Sequence, residues 1–393
     1  MSVAMSLRIL VSTQWLYDET GSAAQLGLLG VVQLLQMPVA LYGGTLADSI
    51  DRKKLMAGTQ LVAFGMLLIL TILAASGRLA PWHIFAVMGV SGIVNLLGGS
   101  ARPAMLPRVV PRNLLINAVT VQTVTGQVAA IGSPIIFWQL YDTFGVAMSF
   151  AVATAIALTS VVTPLLIRSS GKPDGGSARS PLGSLKEGYR FVIGHQLLPG
   201  LFLLDIGVTM VSFYRMLFPV FADQLYGLGA SGTGLLSAAN SIGAIFGSFF
   251  VFFTDRFSRK GMLVLVATLA YAVLLFSFGI NTIFTLGLVI VGLLGATDSV
   301  GMTMRQAVAQ LTTPDKLLGR ASSAHSFAAM GANNIGQIEV GLLSAAIGAG
   351  STMLLGGFIS VAVVLIIWKL MPGIHRYRYD PNNPHNQVDN PKL

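Results

Sequence analysis

The stretch "GGTLADSIDRKKL", Gly43 to Leu55, sets five charged side chains within the seven residues Asp48 to Lys54. The chain around it is 54% hydrophobic and only 10% charged, with a mean hydropathy of +0.74. Soluble chains carry about a quarter charged residues. The cluster therefore reads as a short polar break between apolar segments. Runs such as 61–75 and 361–370 do not alternate apolar with polar residues. That excludes barrel strands and leaves helices, which satisfy their own backbone groups in hydrocarbon. The sequence predicts an all-α, multi-pass membrane protein.

Twelve spans are expected, near 3–17, 25–47, 55–77, 82–101, 113–140, 145–167, 197–225, 231–253, 261–280, 282–304, 318–348 and 350–371. A crossing takes about 20 apolar residues, so the first span is short. With these spans, 21 of the 24 Lys and Arg residues fall on one side of the membrane, leaving Arg8, Arg78 and Arg215. The positive-inside rule makes that side the cytosol and places both termini there. The net charge of +9 thus reports topology and gives no support to a nucleic-acid partner. Cysteine is absent, which excludes thiol chemistry and disulfides. No basic leader or A-x-A cleavage site precedes the first helix, which is expected to be retained.

The chain also repeats itself. "ARPAMLPRVVPRNLLINAV" (101–119) aligns with "MRQAVAQLTTPDKLLGRAS" (304–322), matching Arg102 to Arg305 and Pro111 to Pro314 at a separation of 203 residues. Asp48 matches Asp255 at 207. Two parallel six-helix halves produce such a pattern. The halves are expected at 1–168 and 196–372, joined by a Gly/Ser/Pro-rich linker at 169–195, with a disordered cytoplasmic tail at 373–393. A short surface helix is expected within "LKEGYRFVIGHQLL" of the linker. Against its twin, the first span lacks about ten residues.

"GGTLADSIDRKKL" resembles the loop 2–3 signature of the major facilitator superfamily, in which two six-helix bundles are related by a pseudo-two-fold axis. Gly44, Leu46, Ala47, Asp48, Arg52, Lys53 and Leu55 fit the pattern; Ser49 and Asp51 depart from it where Arg and Gly are usual. Residues 189–248 and 305–327 resemble the enterobactin-exporter-like branch. The resemblance implies a cytoplasmic latch at Gly44, Asp48, Arg52 and Lys53. Asp255, Arg256 and Arg259 form its weaker second copy. The bland reading, under which these charges only fix topology, is preferred for Lys53 and Lys54.

Ionisable groups inside spans are expensive and become functional candidates. They are Arg8, Asp205, Arg215, Asp298, His325 and Glu339. On a continuous seventh helix, Asp205, Thr209, Ser212 and Arg215 recur at i, i+4, i+7 and i+10 and would face one cavity. Asn333, Gln337 and Glu339 would give the eleventh span a polar face. Asp298 is expected to pair with Arg305, and His325 to be structural. "GSP" at 132–134 only faintly resembles an exporter signature. "GLGASG" at 227–232 follows a membrane helix and is a decoy for a nucleotide loop.

The resemblance implies a proton-coupled antiporter in the cell membrane. It would be a monomer without cofactor, exporting a small amphipathic solute such as a siderophore, with Asp205 or Glu339 as proton carrier. Export of a macrolide-like drug is the alternative within the class; a shortened, non-transporting membrane protein is the alternative outside it. No catalytic constellation points to an enzyme.

Overall fold

A computed structural model describes residues 2–41, 50–99, 101–111, 114–166, 181–254 and 257–379. All regular structure among them is helical. The chain divides into two compact units, Met1–Leu182 with Leu228–Ala238, and Gly183–Gly227 with Ala239–Leu393. Nine described helices are long and apolar enough to cross a membrane. On their outer faces Leu61, Ile72, Val121, Phe144, Phe246, Phe252 and Phe358 are each more than half exposed, as lipid-facing side chains must be.

The first unit holds α1 (Ser2–Thr20), α2 (Ala23–Leu41), α3 (Arg52–Ala75), α4 (Pro81–Gly98), α5 (Ala101–Val109) and α6 (Leu115–Leu165). The first helix is longer than the expected 3–17; its 19 residues reach about 28 Å at 1.5 Å per residue. Asp51 caps α3: its carboxylate accepts from the backbone N–H groups of Lys53 at 2.9 Å and Lys54 at 3.4 Å. The residue that departs from the loop signature thus satisfies two of the four orphan donors of a helix start. In α6, Gly145 adopts φ +77°, a conformation costly for any side chain, and breaks the helix where two spans were expected to meet. α3 and α6 pack together with Leu67, Leu70 and Phe150 buried and the Thr71 and Thr154 hydroxyls 2.9 Å apart.

In the second unit the elements are α7 (Pro181–Gly194), α8 (Leu198–Val211), a 3₁₀ turn (Tyr214–Leu217), α9 (Phe218–Gln224), α10 (Gly229–Phe253), α11 (Lys260–Ile280), α12 (Phe284–Thr312), α13 (Asp315–Ile347), α14 (Ala349–Leu370) and α15 (Pro372–Arg376). α10 starts within the residues grouped with the first unit and ends in the second. Lipid gives helices no hydrophobic reason to associate, so small residues at crossings carry the packing. A Cβ on Gly243 would sit 1.7 Å from the Gly292 carbonyl oxygen, and one on Gly247 2.2 Å from that of Ala296. α10 and α12 therefore meet backbone to backbone.

Two expectations change here. The seventh span is not one helix: α8 ends at Val211, and the chain passes through Ser212 and Phe213 into the 3₁₀ turn and α9. Pro219 has no N–H for the carbonyl four residues back and forces the interruption. The tail, expected to be disordered from 373, is helical over Pro372–Arg376. Ile374 and Tyr377 are both buried. A Cβ on Gly261 would lie 1.8 Å from the Ile374 carbonyl oxygen, and the Tyr379 N–H donates to the Ser258 carbonyl at 2.9 Å. Two apolar bodies three residues apart anchor a segment whose composition is otherwise polar. Burial, with Tyr379 adding to it, pushes the Tyr377 phenol up to about 12.

α7 is the surface helix expected in the linker. Its Glu187 pairs with Arg320 of α13, and a Cβ on Gly188 would meet the Arg320 carbonyl oxygen at 2.2 Å. His195 follows; its Nδ1 accepts from the N–H groups of Leu197 at 3.1 Å and Leu198 at 3.3 Å, capping α8. Burial holds the His195 imidazole below its ordinary range.

Candidate functional site

The interruption after α8 frees backbone groups, and polar side chains meet them. The Tyr271 hydroxyl lies 3.2 Å from the Ser212 carbonyl oxygen and 3.1 Å from its Oγ. The Tyr214 N–H donates to the same carbonyl at 2.8 Å. Asn240 Nδ2 donates to the Tyr214 hydroxyl at 2.5 Å, and the Tyr214 ring packs edge-on against Phe218 and Phe278. Glycines bring the neighbouring helices close. A Cβ on Gly336 of α13 would be 2.8 Å from the Thr209 carbonyl oxygen, and one on Gly356 of α14 2.1 Å from that of Val211. A discontinuous helix held this way is how transporters line a binding site at membrane depth.

Around the interruption lies a cavity of about 90 Å³. Asp205, Thr209, Ser212 and Arg215 all line it, as does Asn333. The stripe expected on a continuous helix therefore shares one cavity, although Arg215 reaches it from the 3₁₀ turn. Two ion pairs border the space. Arg305 Nη2 lies 2.5 Å from Asp205 Oδ1, with side chains 10% and 13% exposed. Arg215 Nη2 lies 2.6 Å from Asp298 Oδ2, with side chains 50% and 36% exposed. The first pair is sealed and the second is open.

This arrangement corrects the expected pairing of Asp298 with Arg305. The two lie seven residues apart on α12, so both project from one face. Each finds its opposite charge on the antiparallel neighbour, Asp298 with Arg215 and Arg305 with Asp205. It also changes the reading of Arg305, expected just past the end of the tenth span. α12 continues to Thr312 and carries Arg305 inside.

His325, expected to be structural, places Nε2 3.4 Å from Asp205 Oδ2 and packs on Phe202 with ring centroids 4.4 Å apart. Both Asp205 oxygens thus have a partner, Oδ1 in Arg305 and Oδ2 in His325. Gln337 and Glu339 do not line this cavity. Gln337 is buried; Glu339 is half-buried, and its Oε2 has no hydrogen-bond partner. Of the expected latch, Gly44, Asp48, Asp255 and Arg256 lie outside the described residues. Arg52 and Lys53 open α3, and Arg259 precedes α11. Sequence reasoning missed Arg305, His325, Tyr271 and Asn240 as neighbours of the site. Only the opposite charges at seven-residue spacing on α12 signalled the pairing.

A family model described as "transmembrane secretion effector" matches residues 6–392, a range that takes in every cavity residue. The chain belongs to this family, a branch of the major facilitator superfamily. The enterobactin exporter EntS of Shigella boydii is 28% identical over 389 residues, covering 97% of this chain and 89% of the relative. EntS of Citrobacter koseri is 29% identical, covering 93% and 88%. Among solved structures, a mutant of the nucleoside transporter NupG matches with a TM-score of 0.73 at 12% identity, covering 94% of this chain and 99% of that one. A D-xylose–proton symporter matches with a TM-score of 0.67 at 14% identity, covering 95% of each chain. At such identities these structures show the fold alone, and the fold is that of the major facilitator superfamily. The family member described here is a multi-pass membrane transporter of a small molecule, not an enzyme.

Proposed function

We propose that this transporter exports a siderophore-like organic acid by alternating access, as a monomer with twelve crossings and cytosolic termini in the bacterial inner membrane. The similarity to enterobactin exporters over 97% of the chain carries the reading, and the cavity gives it a chemistry. Arg215 is half exposed there, so an acidic oxygen of the solute can compete with Asp298 for its guanidinium. Tyr271 and Ser212 add hydroxyls beside it. The deeper Asp205–Arg305 pair holds α8 against α12 while this exchange takes place.

Coupling to inward proton flow belongs to the same proposal. Glu339 is the favoured proton carrier, because its Oε2 is buried without a partner while Asp205 is engaged. Arg52, Lys53 and Arg259, with Gly44, Asp48, Asp255 and Arg256, would form the cytoplasmic latch. The test is export from a siderophore-producing cell that lacks its own exporter. The chain should restore catechol siderophore in the medium, and Arg215→Met should cut it at least tenfold. Export of macrolides with no effect on siderophore would move the assignment to drug efflux.

A further inference from the structure

Arg8 on α1 has no part in the site above, which lies wholly in the second unit. It is 6% exposed, and its Nη1 is buried with no hydrogen-bond partner. Among the described residues it makes no ion pair. Guanidinium stays protonated in any protein environment, so the buried charge calls for a counter-charge. Among the described residues the space beside it supplies no acid. Arg8 lines a recess of about 30 Å³ in the first unit with Ser91, Gln60, Asn95 and Ser160. Ser91 is 2% exposed, and its Oγ also has no partner. Two orphaned donors thus face one small space among amides and hydroxyls.

The recess shares Gln60, Ala63, Asn95 and Ser160 with a larger cavity of about 340 Å³. That volume is in the range of small-molecule sites, about 300–1,000 Å³. Its remaining walls mix apolar Met56, Val94 and Pro164 with the Thr59 and Thr163 hydroxyls. Among the described residues no carboxylate lines either space. The recess has room for one ionised group, and the larger cavity for an organic body attached to it.

We infer that the first unit carries its own anion subsite, in which Arg8 and Ser91 take a carboxylate or catecholate oxygen of an organic acid. This rests on the reading of the chain as a transporter of a small organic acid and assigns part of that recognition to the first unit. The Arg215 cavity belongs to the second unit.

The test is calorimetric titration of the purified full chain in neutral detergent with 2,3-dihydroxybenzoate and with its uncharged isostere 2,3-dihydroxybenzamide. Wild type is expected to bind the acid at least tenfold more tightly than the amide. Read in an Arg215→Met background, which removes the acid contact of the second unit, Arg8→Met should abolish that preference with amide binding unchanged, Arg8→Lys should keep part of it, and Ser91→Ala should reduce it severalfold. Unchanged amide binding shows that a variant is folded; should Arg8→Met not fold, Ser91→Ala and Arg8→Lys decide. A preference that survives both Arg8→Met and Ser91→Ala in that background overturns the subsite and leaves the transporter reading standing. Wild type that binds neither compound overturns both. Loss of acid binding on adding phosphatidylglycerol, with the lipid itself binding through Arg8, would assign the recess to a headgroup and overturn the proposal.

Discussion

Asp205→Asn separates charge from shape at the sealed ion pair. Asn fills the same volume and still offers Arg305 an acceptor, so the loss is one of charge. Two unit charges about 4 Å apart interact by about 4 kcal/mol at an effective dielectric of 20. Breaking one side of a buried pair costs about 3–5 kcal/mol, because the remaining charge stays buried. With both side chains at or below 13% exposure, a loss near the lower end of that range, about 3 kcal/mol, is expected. Adding Arg305→Met removes the stranded charge and should bring the double variant back to within about 1 kcal/mol of wild type. The Arg215–Asp298 pair is the internal control: with side chains 50% and 36% exposed, Arg215→Met should cost under about 1 kcal/mol. Reversible unfolding of the full chain by SDS in mixed micelles reads all five proteins, wild type and Arg305→Met alone included. Equal costs for Asp205→Asn and Arg215→Met, or a double variant as poor as the sum of its singles, would refute the distinction between a sealed and an open pair.

Three further outcomes are expected. His195 caps α8 through Nδ1, and burial depresses its pKa; a depressed histidine stabilises the fold above its unfolded value of about 6.5 and loses that contribution as pH falls. Unfolding scans from pH 7.5 to 5 should show the decline, and His195→Asn should flatten it. Tyr377, raised to about 12, favours the fold below its unfolded value of about 10 and withdraws that support between about pH 10 and 12. The protection of amides at residues 372–379, taken relative to the intrinsic exchange rate at each pH, should fall over that window in wild type and not in Tyr377→Phe. Gly247→Val would put a branched side chain where a Cβ already falls 2.2 Å from the Ala296 carbonyl oxygen; a loss of about 1–3 kcal/mol is expected, read in the same SDS titration, and Gly319→Val, in open space on α13, should cost less.

The helical membrane architecture was legible because apolar run length is a property of sequence alone, and the surface helix and the Gly145 junction fell where polar composition and glycine put them. The cavity stripe from Asp205 to Arg215 was legible for the same reason, since helical spacing and the cost of charge in lipid are both local. Partners were not. Whether Arg305 meets Asp298 or Asp205 depends on α12 continuing to Thr312 and on which helix lies against it. The 3₁₀ turn at Tyr214 was signalled by Pro219, yet the amide of Asn240, 26 residues from Tyr214, and the hydroxyl of Tyr271, 59 residues from Ser212, reach that region only by folding. Asp51 looked like a departure from the loop signature because capping depends on backbone geometry at α3. The buried tail turns on two residues, Ile374 and Tyr377, too few to shift the composition of the segment.

Uptake of a radiolabelled catechol siderophore into everted inner-membrane vesicles tests export most directly, because outward transport in the cell becomes accumulation inside the vesicle. The expected result is accumulation that needs an imposed proton gradient, collapses with a protonophore, and falls at least tenfold with Arg215→Met while the protein stays folded. Gradient-independent equilibration identical in vesicles with and without the chain, at equal folded protein, would contradict an exporter.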